Sequence, residues 1–221
     1  MLTINNLSLS IQKVPILNGV GLNIEKGQTV GLIGRNGAGK TTLMRAIMGA
    51  IEPQSGELYF QKIALHESKA HARALLGIGY LPEDRRLVPH FTVEENIMVP
   101  LWAINQDTDL SRLHWVYELM PEIGRFADRR ALTLSGGQQK LVALARALVT
   151  GSNLLLLDEP FEGVAPALAQ RLMEVITSLK QENLSVLISE SDYTHSKGVV
   201  DKVYAIERGS IGEMTHELGT G

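Results

Sequence analysis

The chain has 221 residues, a formal net charge of −3, 44% hydrophobic and 20% charged residues, and no cysteine. Those values describe a globular domain long enough for a real core, and they exclude disulfides and Cys-ligated zinc. The acidic balance argues against a nucleic-acid binder that works through a broad basic surface. No apolar run approaches bilayer length and the N-terminus lacks a signal-peptide pattern, so the expectation is a cytoplasmic protein that meets a membrane only through a partner.

In chain order, Leu2 to Ser10 alternates apolar and polar residues as a half-buried strand does. Gly21 to Ile24 and Glu57 to Phe60 are further strand candidates, and together they predict an antiparallel β region. Thr29-Val-Gly-Leu-Ile33 reads as a buried strand, followed by GRNGAGKT and a helix from Lys40 to Met48 that ends at Gly49. Gly77 to Leu81 is another short buried strand, closed by Pro82. From Glu83 to about Leu134 prolines and polar turns surround two helical segments. One opens at the capping box Thr92-Val-Glu-Glu95 and is interrupted by Pro100; the other runs from Leu110 to Met120. Then come a helix from about Gly137 to Val149, the strand Leu154 to Leu157 and a helix from Pro166 to about Glu182. The strand Ser185 to Ser189, a short helix near Tyr193 and the strand Lys202 to Ile206 close the order.

This pattern predicts an α/β core with an antiparallel β region beside it, interrupted by a mostly helical insertion. The expected division of this single domain is core over 1–82 and 150–221, with the helical insertion over 83–149.

Three segments carry chemistry. Gly34 to Thr41 fits G-x-x-x-x-G-K-[ST] in the strand–loop–helix setting that this motif needs. Gly34, Arg35, Asn36, Gly37, Ala38 and Gly39 would wrap phosphates with backbone N–H groups, at a helix end that adds partial positive charge. Lys40 would reach the outer phosphates as both a binding and a catalytic group, Thr41 would hold magnesium, and Thr42 extends the set. Second, Leu154-Leu-Leu-Leu157 delivers Asp158 and Glu159 to the C-terminal edge of a buried strand. Asp158 would hold the metal, and Glu159 would orient or deprotonate the water that attacks the γ-phosphate. Third, Leu134-Ser-Gly-Gly-Gln138 opens a helix in capping-box form. Its two glycines cost up to about 1 kcal/mol each relative to alanine, which points to a close approach by an anion.

In this order, GRNGAGKT, LSGGQ and LLLLDEP resemble the ATP-binding subunit of an ABC transporter, over essentially the whole chain. The resemblance implies an α/β fold with a P-loop NTPase core (a RecA-like mixed sheet with helices), an antiparallel β subdomain and an inserted helical subdomain. It implies ATP and Mg2+ as ligands, ATP hydrolysis as the activity, and two ATPase subunits that sandwich two ATP molecules head to tail. Ser135, Gly136, Gly137 and Gln138 would then serve the ATP held by the partner subunit. It also implies transmembrane permease subunits, a second ATPase subunit (identical or related), a solute-binding protein indirectly, and no nucleic acid. The place implied is the cytoplasmic face of the inner membrane.

Tyr80 to Pro89, Thr92 to Asn96 and Pro160 to Pro166 resemble the branched-chain amino acid importer ATPases in particular. ATPases of lipopolysaccharide export share some of this character but carry an aspartate where this chain has Ala165. Glu83 stands where most of the family has the glutamine that senses magnesium and γ-phosphate; its carboxylate can still offer oxygen to the metal. Ser191 takes the place of a histidine, a donor of short reach without positive charge, while His195 reads as a surface histidine. Ile11 falls where an aromatic usually stacks on adenine, and offers apolar contact alone.

The expectation is therefore an ATP-hydrolysing subunit powering import of a small solute such as branched-chain amino acids. The alternatives are an amide or urea importer, a lipopolysaccharide-type exporter, or a weakly hydrolysing regulatory nucleotide-binding module. A soluble ABC protein of DNA repair or translation is disfavoured by the single ATPase unit and the acidic balance.

Overall fold

A computed structural model of the chain describes residues 1–105 and 110–214. The first half runs β1 (Leu2–Ile11), β2 (Val14–Ile24), β3 (Thr29–Ile33), α1 (Lys40–Ile47), β4 (Ser55–Phe60), β5 (Ile63–Ala64), α2 (Ala72–Leu75), β6 (Ile78–Leu81) and α3 (Val93–Ala103). The second half runs α4 (Ser111–Leu119), α5 (Pro121–Gly124), α6 (Gly136–Thr150), β7 (Leu154–Asp158), α7 (Pro166–Gln181), β8 (Ser185–Glu190), β9 (Lys202–Glu207) and β10 (Ser210–Met214).

The strands form two sheets: an antiparallel one ordered β2-β1-β4-β5, and a larger one ordered β10-β9-β3-β8-β7-β6. In the larger sheet β9 to β6 run parallel, and β10 adds an antiparallel edge. This is the α/β architecture with a separate antiparallel sheet that the sequence predicts.

The leucine run explains how the sheet is held. A parallel strand covered on both faces needs apolar residues at every position. Leu155 and Leu157 join an apolar cluster with α3, α4, α6 and α7, whereas Leu154 and Leu156 join a second one with α1 and the antiparallel sheet. Helices of segment 83–149 share the first cluster with the sheet, through Val93, Ile97, Leu113, Val116, Leu144 and Leu148. Among the described residues no helix is long and apolar enough to cross a membrane.

Several local expectations change. The apolar positions of β1 shift phase between Ile4 and Leu7, where a bulge carries Asn6 at φ 50°. The second strand begins at Val14 rather than near Gly21, because it pairs with β1 along its length at the sheet edge, where Pro15 is tolerated. Pro100 does not interrupt α3, which continues to Ala103. A proline removes one helical hydrogen bond, but burial of Val93, Ile97, Met98 and Leu101 in the shared cluster holds the helix together. Near Tyr193 there is only a single 3-10 turn at Ser196–Gly198, and β10 lies beyond the last expected strand.

Candidate functional site

The loop between β3 and α1 surrounds the Lys40 ammonium. Lys40 Nζ donates to the carbonyl of Gly34 and, at 3.2 Å, to that of Arg35, and it lies 3.0 Å from Glu159 Oε1. Gly34 is anchored by its N–H to Glu190 O at 3.0 Å, and a Cβ on it would collide with the Ile206 carbonyl at 2.3 Å. Asn36, Gly37, Gly39, Lys40, Thr41 and Thr42 line a cavity of about 390 Å3, together with Glu83, Glu159 and Ile16. Gly34, Arg35 and Ala38 build the loop behind it. Ile11 is not among the lining residues and stands exposed at the end of β1, so the apolar wall here comes from Ile16.

Asp158 is fully buried at the end of β7 and receives three hydroxyls. Ser189 donates to Oδ1 at 2.8 Å, Thr41 to Oδ1 at 3.2 Å and Tyr80 to Oδ2 at 3.2 Å. Burial, and then the neighbouring Asp158 charge, hold the Tyr80 phenol far above its ordinary pKa, so it stays a donor. Glu159, one residue on, has a left-handed backbone with φ 48°. Its side chain meets Lys40, and Ser191 Oγ lies 2.9 Å from its Oε1 and 2.8 Å from Asn36 Oδ1. A hydroxyl has one proton, so when Glu159 accepts it the Asn36 amide must turn its nitrogen toward Ser191.

Ser135, Gly136 and Gly137 line a second cavity of about 530 Å3, with Glu83, Arg85, Lys140, Glu162 and Ala165. The capping box is formed: Gln138 N donates to Ser135 Oγ at 3.2 Å, and Ser135 N donates to Gln138 Oε1 at 3.0 Å. Glu83 belongs to both cavities. Burial, and then the charges of Glu162, Asp158 and Glu159, push its carboxyl above the usual range. His195 rests on Phe161, with ring centroids 5.1 Å apart, rather than in the Lys40 cavity.

Tyr80, Ser189, Lys140 and Ile16 are given no site role by the sequence reading. Ser189 had a signal: it is the polar residue following the apolar Val186-Leu-Ile188, in direct register with Asp158.

The cradle fits a polyphosphate. Gly37, at φ 81°, has nothing within 4 Å of where a Cβ would stand, and the α1 N-cap Gly39, at φ 114°, provides no side-chain cap. With no acidic residue in the first turn of α1, backbone N–H groups and the helix dipole favour an anion. The Thr41 hydroxyl and Asp158 carboxylate are hard oxygen donors that suit magnesium. Among the described residues no three carboxylate, imidazole or thiol groups are placed to hold a metal ion by themselves, so the remaining oxygens would be those of phosphate and water.

A phosphate loop, an adjoining Thr–Asp pair and a carboxylate on the same cavity define a nucleoside triphosphatase. Residues 17–162 match the family described as ABC transporter, and the chain belongs to it. Over 219 residues the chain is 33% identical to the high-affinity branched-chain amino acid transport ATP-binding protein BraG of Pseudomonas aeruginosa, covering 99% of this chain and 93% of that one. It is also 33% identical over 213 residues to the lipopolysaccharide export system ATP-binding protein LptB of Haemophilus influenzae, with 96% and 88% covered. A crystal structure of the ADP conformation of an ATP-binding cassette of an ABC transporter has a TM-score of 0.83 and 28% identity, over 98% of this chain and 91% of that one. This chain is an ATP-binding, ATP-hydrolysing subunit of an ABC transporter.

Proposed function

We propose that the subunit powers import of branched-chain amino acids, working as an ATPase dimer beneath transmembrane permease subunits. The observation that carries the catalytic part is the convergence of Lys40, Thr41, Glu83 and Glu159 on one cavity. The importer part is supported by the extent of the likeness to BraG and by the stretch Pro160 to Pro166.

Lys40 exchanges its Glu159 partner for phosphate oxygens, while the loop and α1 N–H groups hold the rest of the polyphosphate. That exchange releases the Glu159 carboxylate, which stays within reach of Ser191 and takes a proton from the attacking water. Thr41 and Asp158 would hold Mg2+, with Glu83 at the same cavity, and the ion would supply neutralisation of phosphate charge. Ser135, Gly136, Gly137 and Gln138 serve the nucleotide of the second subunit. Segment 83–149 carries the closing motion to the membrane partner. Its exposed Phe91 and Trp102, with ring centroids 6.3 Å apart, and nearby Val88 supply an apolar surface for that contact.

Purification from detergent-extracted native membranes tests this reading. Co-purified permease subunits, and ATP turnover stimulated by a leucine-loaded solute-binding protein, are expected. Turnover stimulated by lipopolysaccharide instead, or co-purification with nucleic acid, would overturn the importer assignment.

A further inference from the structure

We propose that Lys140 is a positioning residue for hydrolysis, fixing the backbone of Glu159 from α6 and so joining the Ser135–Gln138 helix end to the candidate general base of the same chain. The proposal rests on the reading of Glu159 as that base.

Lys140 is only 4% exposed, and its Nζ donates to the Glu159 carbonyl at 2.8 Å. Glu159 has the left-handed backbone already described, which a non-glycine residue keeps only where its surroundings over-determine it. Four hydrogen bonds supply that constraint. The Glu159 N–H donates to Ser189 O at 3.2 Å and Ser189 Oγ at 3.1 Å. Its C=O accepts from the Glu162 N–H at 3.2 Å, within the turn itself, and from Lys140, the one side-chain donor on it among the described residues. Held at both ends, the residue turns its carboxylate toward Lys40 and Ser191.

Lys140 also lines the second cavity, with Glu83, Arg85, Glu162, Ser135, Gly136 and Gly137. Burial, and then Arg85, draw its pKa below the ordinary lysine value, whereas Glu162, Glu83 and Glu159 support the charged form. A buried cation is costly, and an apolar side chain would fill such a position at lower cost. What an apolar side chain could not provide is the donor that reaches the Glu159 carbonyl from α6. Because α6 starts at Gly136 and Lys140 lies one turn in, a displacement of that helix end on ligand contact reaches Glu159 through a single hydrogen bond.

The test compares Lys140→Met, Lys140→Arg and Glu159→Gln in the full-length chain, reading kcat, KM and the Kd of a fluorescent ATP analogue. Lys140→Met should lower kcat by about ten- to hundredfold, the scale of a small misplacement of a catalytic group, with KM and Kd within about twofold. Lys140→Arg, which keeps a donor and the charge, should recover most of the loss. If Lys140→Met fails to fold by circular dichroism, Lys140→Gln, whose amide is uncharged and shorter, is read in the same way. An inactive Glu159→Gln beside an undiminished kcat in Lys140→Met would overturn this proposal and leave the base reading standing. Equal losses of kcat and ATP binding, or no recovery in Lys140→Arg, would also overturn it, by assigning Lys140 a structural part only. Undiminished turnover in Glu159→Gln would instead overturn the base reading, and this proposal with it.

Discussion

Lys40 Nζ and Glu159 Oε1 lie 3.0 Å apart, with both side chains less than a tenth exposed. One comes from the phosphate loop and the other from the end of β7, so the pair ties the anion cradle to the carboxylate we propose as the general base. Removing one partner of a buried ion pair leaves the other uncompensated, at a cost of about 3–5 kcal/mol. Lys40→Ala should therefore lower stability in urea denaturation as well as ATP affinity. Lys40→Ala combined with Glu159→Gln should lose less stability than the two single changes together, because the stranded charge is gone.

Ser189 holds both members of the Asp158–Glu159 pair. Its hydroxyl donates to Asp158 Oδ1 and accepts the Glu159 N–H. Ser189→Ala removes an outer support of the carboxylate proposed to hold Mg2+, a change that for a metal ligand costs about ten- to hundredfold in metal affinity. The expected outcome is a Mg2+ half-saturation for ATP turnover raised on that scale, read by metal titration at saturating ATP.

Glu190 is buried beneath the Ser191 loop and accepts from the hydroxyl of Ser196 and, at 3.3 Å, from its N–H. Burial pushes its carboxyl up to about 7; the Ser196 hydrogen bonds oppose this, and the charges of Asp192 and Glu159 add to it. In the unfolded chain the same carboxyl titrates near 4.5. The folded chain therefore keeps a proton that the unfolded chain has released. This contribution to stability is complete below pH 4.5 and is lost as pH rises through 7. The loss is at most about 3 kcal/mol. Glu190→Gln keeps an acceptor for Ser196 and cannot ionise. Urea denaturation at pH 5 and pH 8 should show a smaller fall in stability for the variant than for the natural chain.

Gly79 in β6 lies where the end of α6 presses on the sheet. A Cβ at this position would meet the backbone carbonyl of Ala147 at 2.0 Å and Gly151 Cα at 2.9 Å. Backbone cannot step aside as a flexible side chain can, so Gly79→Ala should destabilise the chain by about 1–3 kcal/mol through overpacking. A lower urea midpoint with an unchanged slope would register it.

Much of this architecture was legible because its signals are local. A phosphate loop between a strand and a helix, four leucines before Asp158 and a glycine-bearing helix start each declare themselves within a dozen residues. What escaped depends on pairing between distant segments. The full length of β2 follows from its partner β1, and Pro100 is overruled by the cluster that α3 joins. Ser189 acts on Asp158 because β7 and β8 lie in parallel register, although 31 residues separate the two in sequence. Ile16 rather than Ile11 lines the Lys40 cavity because β2 begins early and carries it there. The Lys140 contact with Glu159 spans two elements 19 residues apart and leaves no sequence pattern.

The steady-state ATPase rate of Glu159→Gln, measured beside the natural chain at saturating Mg2+ and ATP, tests the central claim most directly. Loss of a positioned general base predicts a fall of at least about a hundredfold, with ATP affinity retained. A rate within a few fold of the natural chain's, with ATP bound, would contradict it.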